Sequence, residues 1–271
     1  MSAFDTTKPL AFFQVNAFTQ DMSGGNPAAV CPLPEWVEDD LMQKIAAENN
    51  LSETAFFVSD VWGGYTLRWF TPKVEVALCG HATLAAGYVI LNFLQPKKKR
   101  IEFHTLSGKI AVERGPDEMY TLDFPLQPAK EIPLTKDHAE LVSKPPEKIL
   151  EAGENFLLVY GGGEEEILSL EPNVAAMAKF PGHGFIVTSE GGTCDFVSRY
   201  FVPNHGILED PVTGSTHCTL GPYWGDVLGK TDLHARQISK RGGDLYLRGE
   251  GGRIKISGHC FLRIDGALTF S

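Results

Sequence analysis

Cys79, Gly80 and His81 stand together in VEVALCGHATLAAGYVI (74–90), where a half-polar stretch runs into small and apolar residues. A thiol, a bare backbone and an imidazole at the start of a buried helix suit proton chemistry on an anion. The positive end of the helix would lower the pKa of His81 and keep it neutral, able to give or take a proton near pH 7. Alternatively, His81 is tied to a neighbouring carbonyl. The same field would draw Cys79 toward a reactive thiolate, unless it is only a small buried apolar residue. Gly80 would let a carboxylate or phosphate approach the unpaired amides of the first turn.

A second stretch, EDPVTGSTHCTLGPYWGDVL (209–228), sets Glu209 and Asp210 ahead of another glycine-started helix at Thr213, Gly214 and Ser215. The acids either serve chemistry or complement the helix dipole. Each glycine alone could merely relieve a tight strand-to-helix turn, while two such turns in two halves favour one shared anionic ligand. Neither turn carries G-x-G-x-x-G or a G-K-[ST] ending, which excludes the common nucleotide cradles. His217 and Cys218 fit no standard ligand spacing and no H-E-x-x-H occurs, so no metal is expected. Ser215 lacks the G-x-S-x-G elbow of a serine hydrolase. Glu53, in NNLSETAFF, reads on pattern alone as a solvated carboxylate between a helix and a strand.

The elements that must position these residues alternate between strands and helices. PLAFFQVNAF (9–18) is a strand of β-formers, and a Gly-rich turn with Asn26-Pro27 leads into a short second strand. Val37, Leu41, Met42, Ile45 and Ala46 fall at helical spacing in 34–50, with Asn49-Asn50 as the stop. TAFFVS (54–59) and YTLRWFT (65–71) are strands joined at Gly63-Gly64. A helix over 80–95 and three strands over 100–125 complete the first half. The second half repeats this outline, with strands at 156–161, a Ser-capped helix over 169–180, further strands, and a helix over 214–228. The Pro- and charge-rich stretch after Pro125 places a boundary between domains 1–127 and 128–271, with the last strand free to return to the first domain.

The chain has 271 residues, 43% hydrophobic and 21% charged, the balance of an ordinary globular protein. A net charge of −10 excludes a general nucleic-acid binder, which needs a basic face. No stretch has the roughly 18 apolar residues of a spanning helix. Five scattered cysteines without a CxxC pair, and an N-terminus without a leader pattern, point to a cytoplasmic protein with reduced thiols.

GNPAAVC (25–31), MQKIAAENNLSETAFF (42–57), RWFTPKVEVALCGHATLAAGYVI (68–90) and EDPVTGSTHCTLGPYW (209–224) together resemble the PhzF family of phenazine-biosynthesis-like isomerases, within the diaminopimelate epimerase superfamily. The resemblance spans essentially the whole chain. It implies an α+β fold of two similar β-rich domains, each a barrel-like sheet around a central helix (80–95 and 214–228), with the site in the cleft between them. Carried over residue by residue, it makes Glu53 the proton-transfer residue and sets His81 and Asp210 beside it as catalytic. Thr213, Gly214 and Ser215 hold a substrate carboxylate, with Gly25, Asn26, Cys79 and Gly80 lining the pocket.

The implied reaction is an isomerisation without a cofactor, on a small anionic metabolite. One carboxylate removes a proton from a carbon activated by conjugation and returns it elsewhere; a buried glutamate can serve as both base and acid. The superfamily's epimerases use two cysteines. Cys79 matches the first, but Pro211 occupies the place of the second, which argues against a Cys-based amino-acid racemase. A non-catalytic binding protein that keeps the fold is the other alternative. The resemblance also implies a homodimer.

Overall fold

The computed structural model describes residues 8–61 and 63–270. The first seven residues, part of the stretch read for a leader, lie outside it. The chain divides into two compact units, one running to Asp123 and resumed from Ser257, the other spanning Phe124–Ile256. The sequence boundary at 127/128 therefore lies just inside the second unit, and the final strand, Cys260–Leu268, groups with the first. No helix of the described residues is long and apolar enough to cross a membrane.

In the first unit β1 (Leu10–Ala17) pairs antiparallel with β2 (Asn26–Leu33) on one side and with the C-terminal strand on the other. α1 (Asp39–Asn49) turns Met42, Ile45 and Ala46 inward, and Asn50 ends it in the left-handed conformation at φ 47°. This crossover brings β3 (Glu53–Ser59) parallel to β2, with Ala28 opposite Glu53. β4 (Tyr65–Phe70) returns antiparallel through the Gly63-Gly64 turn, and the two-residue β5 (Glu75–Val76) hangs on its end. After α2 (Gly80–Val89), β6 (Arg100–Thr105) joins β4 in parallel, followed by the antiparallel β7 (Gly108–Arg114) and β8 (Tyr120–Pro125).

Nine of the ten residues of α2 are buried, so this helix has no solvent face and is the core around which the sheet is laid. It packs on β1, β2, β3 and β7. Gly87 explains how closely: a β-carbon there would lie 2.5 Å from Cγ1 of Val112 on β7. Beyond Val89 the helix widens into a π-helical turn, Ile90–Leu94.

The second unit opens with β9 (Lys130–Ile132) and a single turn, α3 (Lys136–Ala139). β10 (Lys148–Ala152), β11 (Asn155–Val159), β12 (Gly184–Glu190), β13 (Phe196–Phe201), β14 (Asp232–Gln237) and β15 (Gly243–Glu250) then pair in that order, and β16 (Arg253–Gly258) follows. The pairings run antiparallel, parallel, antiparallel, parallel, antiparallel. The first unit shows the same succession from β1 through β2, β3, β4 and β6 to β7, so the repeat that residue identities barely carry is plain in the strand order.

A short helix, α4 (Gly163–Ser169), ends where the one expected over 169–180 would begin, and of that expected helix only the short α5 (Val174–Met177) forms. Pro172 lies between them, and Asn173 rather than Ser169 caps α5, its side chain accepting from the Ala176 amide at 3.2 Å. The central helix α6 covers His217–Leu228, three residues shorter at its start than expected, because 214–216 form a separate turn. Pro222 sits inside α6 and has no N–H to give the carbonyl of Cys218, four residues back; that carbonyl accepts the Gln127 amide at 2.9 Å instead.

Candidate active site

The parallel register of β2 with β3 sets Asn26 and Glu53 at the starts of adjacent strands. Gly25, at φ 65°, makes the turn into β2, where a β-carbon would strike the Ala17 carbonyl at 2.3 Å. Asn26 is fully buried, and its Oδ1 accepts from Ser52 Oγ at 2.9 Å, fastening the residue before Glu53 to β2. Asn49 Nδ2 donates to Thr54 Oγ1 at 3.3 Å on the other side. Glu53 is thus the first residue of a strand, its side chain 18% exposed, and not a solvated loop carboxylate.

Cys79 is the residue before α2, in extended conformation, and its carbonyl accepts from the amide and hydroxyl of Thr83 at 3.1 and 2.6 Å. With the backbone so held, the first turn aims His81 at Glu53. Nε2 of His81 lies 3.1 Å from Oε2 of Glu53, and both atoms are buried without a hydrogen-bond partner of good geometry. On the opposite edge of the ring, Nδ1 is 3.5 Å from Cys79 Sγ. Cys79, His81 and Glu53 therefore form a row with the imidazole in the middle.

Two electrostatic expectations fail here. Burial dominates at Cys79, with the Glu53 charge adding to it, and pushes the thiol up to about 11 rather than down toward a thiolate. The helix end is expected to lower His81, and burial acts in that direction. The groups on either side, the Cys79 sulfur and the Glu53 carboxylate, outweigh it and hold the imidazole well above its ordinary range. At neutral pH the thiol keeps its proton, so the carboxylate is the partner that matters. A thiol that keeps its proton makes a poor racemase base.

Ligating atoms of Glu53, Cys79 and His81 lie within 4.8 Å of one another. The thiol and the carboxylate meet opposite nitrogens of one ring, however, so an ion on either nitrogen would leave one of them behind the ring. The row fits a chain of proton positions better than a metal cradle.

The second unit holds Asp210 and Thr213–Ser215 in a turn bonded on all sides. Thr213 Oγ1 donates to Asp210 Oδ2 in a short hydrogen bond. The Thr213 amide donates to Gln237 Oε1 at 2.9 Å, and Gln237 Nε2 returns to the Asp210 carbonyl at 2.8 Å. Ser239 Oγ reaches the Pro211 carbonyl at 2.7 Å. Nδ1–H of His217 donates to the Thr213 carbonyl at 2.8 Å, and burial drives this histidine down to about 4. Glu209 belongs elsewhere: both its oxygens take Arg199, at 2.8 and 3.0 Å.

Gly214 does not open the helix. Its carbonyl accepts the His217 amide at 3.1 Å, Ser215 does the same for Cys218 at 3.0 Å, and the amides of Gly214, Ser215 and Thr216 precede that turn. Gln237 and Ser239, which shape the turn, carried no signal in the sequence, since a buried glutamine at the end of a strand looks like any other polar residue.

Residues 15–266 match the family model for phenazine biosynthesis-like proteins, PhzC-PhzF. An uncharacterized isomerase of Pseudomonas aeruginosa is 47% identical over 262 residues, covering 97% of this chain and 99% of the relative. The crystal structure of a phenazine biosynthesis PhzC/PhzF protein from Clostridium difficile superposes with a TM-score of 0.91 at 43% identity, covering 96% of this chain and all of that one. A hydroxyproline epimerase from Agrobacterium vitis, at 11% identity and TM-score 0.62, covers 97% of this chain and 93% of its own and shares the fold alone. Fold and relatives together define an enzyme of the isomerase class on an epimerase-like α+β scaffold. The chain belongs to the PhzC-PhzF family.

Proposed function

We propose that the chain moves a proton within a small carboxylate-bearing metabolite, without a cofactor, with Glu53 as the general base and acid. The observation that carries this reading is the Glu53–His81 pair, a mostly buried carboxylate 3.1 Å from an imidazole whose own affinity for a proton it raises. Glu53 takes a proton from a carbon next to a conjugated carbonyl or alkene, the electron pair of the broken C–H bond spreads into the conjugated system, and Glu53 returns the proton at another carbon of the same molecule. General acid–base catalysis of this kind contributes roughly 10²–10⁴-fold. The imidazole at 3.1 Å holds the Glu53 side chain in place in the resting enzyme. Backbone amides at Gly80, with Gly25 and Asn26, stabilise the charge that develops, which is usually the larger share of catalysis, and the amides of the Thr213, Gly214 and Ser215 turn are suited to a carboxylate. Asp210, locked to Thr213, orients that turn for the same reaction.

The experiment is incubation with metabolite extract in D₂O. Deuterium entering one small acid, lost in Glu53→Gln and kept in Cys79→Ser, is the expected result. Full incorporation by Glu53→Gln would sink the assignment, and incorporation lost only in Cys79→Ser would make the enzyme a thiol-based racemase.

A further inference from the structure

Glu53 and His81 have roles in that reaction, whereas the third member of the row has none. An imidazole with a carboxylate on one edge needs a partner on its other edge. The usual partner is a backbone carbonyl, which only accepts and so keeps a proton on that nitrogen permanently. Here the hydroxyl that could have competed, Thr83 Oγ1, is spent on the Cys79 carbonyl. What remains is Cys79 Sγ, 3.5 Å from Nδ1. A thiol differs from a carbonyl in one respect: sulfur accepts weakly and S–H donates weakly. It accepts Nδ1–H when the ring is cationic and donates to Nδ1 when the ring is neutral.

We propose that Cys79 is a positioning residue for the proton shift, its thiol holding the Nδ1 edge of His81 in either charge state so that Nε2 stays on Glu53. This rests on the assignment of Glu53 as the acid and base. When Glu53 is charged the ring carries both protons. When Glu53 has taken the substrate proton, its hold on the imidazolium weakens, and the Nδ1 contact with Cys79 keeps the ring from turning over until the proton is returned to the substrate. A thiol that stays protonated does not compete with Glu53 for the substrate proton, which suits a positioning part. The titratable groups acting on His81 are Cys79 and Glu53. Cys31, buried on β2, and Cys260, half-buried on the C-terminal strand, are thiols pushed up by desolvation alone or nearly so.

The backbone duties of Cys79 are independent of its side chain, so substitutions here leave the start of α2 intact. The test is a pH titration of the full chain labelled with ¹⁵N-histidine, with His81 assigned by its loss in His81→Gln. In Cys79→Ala the Nδ1 resonance of His81 loses its hydrogen-bonded shift and the titration midpoint moves. Cys79→Ser, whose hydroxyl also donates and accepts, restores both. Deuterium exchange falls roughly tenfold in Cys79→Ala and recovers in Cys79→Ser. Superimposable His81 spectra and midpoints in wild type and Cys79→Ala overturn the inference, whatever Glu53→Gln does. Full exchange in Glu53→Gln overturns the reaction assignment alone.

Discussion

Nε2 of His81, in the first turn of α2, lies 3.1 Å from Oε2 of Glu53, the residue that opens β3. The consequence for stability has a definite sign. The folded protein holds the His81 proton more tightly than an unfolded chain does, so the pair stabilises fully below the ordinary imidazole value of 6.5 and fades as pH rises through the higher folded value. Glu53→Gln removes the carboxylate and with it this dependence. The difference in melting temperature between wild type and Glu53→Gln should shrink from pH 6 upward. Parallel curves over that range would show that the two side chains do not share charge.

His217 predicts the opposite behaviour in the second unit. It is buried and neutral, held down to about 4. Its stabilising contribution is present above about 6.5 and lost as pH falls toward 4, because the unfolded chain protonates first. The loss is about 3 kcal/mol for a shift of that size. His217→Asn, whose amide can still donate to the Thr213 carbonyl, should be less stable at pH 7 yet flatter between pH 7 and 4.5 in urea unfolding. An acid limb as steep as wild type would exclude His217 as its source.

Gly87 and Gly221 test how the two central helices meet their sheets. Alanine normally favours a helix over glycine by about 1 kcal/mol. At Gly87 the added carbon would lie within 3 Å of three atoms of Val112, a β-branched side chain with little freedom to move, so Gly87→Ala should destabilise by about 1–3 kcal/mol. At Gly221 the clash is with Cδ1 of Ile254, the far end of a side chain that can swing aside. Gly221→Ala should therefore cost much less. Equal losses in chemical denaturation would refute this ordering.

Gln237 should matter to binding although it lies behind the turn. Gln237→Ala removes the partner of the Thr213 amide and the donor to the Asp210 carbonyl, leaving polar groups unpaired at about 1–3 kcal/mol. Once a substrate is found, KM should rise more than kcat falls, because the turn's amides lose their alignment. An unchanged KM would mean that the turn does not hold the substrate.

Periodicity and turn residues placed most strands, the α1 stop at Asn50 and the apolar helix after Gly80. They failed where tertiary bonds decide. Pro172 and Asn173 delay to Val174 a helix expected from Ser169, and the bonds from His217 and Cys218 to Gly214 and Ser215 made a turn of what reads as a helix start. Local reasoning treated Glu53 as a loop residue, since only the β2–β3 pairing brings it near His81, 28 positions on. The charges failed for a related reason. A helix dipole can be read from the order of residues, whereas the burial that overrides it at Cys79, and the carboxylate that overrides burial at His81, come from elsewhere in the chain.

Pro222 has an effect well upstream of itself. By withholding a donor it leaves the Cys218 carbonyl vacant, and the Gln127 amide, at the entrance to the second unit, docks there. An ordinary helix would have consumed that acceptor internally and left the incoming chain nothing to grip. Pro222 thus works as a mooring, so that the last helix to be synthesised secures a segment made nearly a hundred residues earlier.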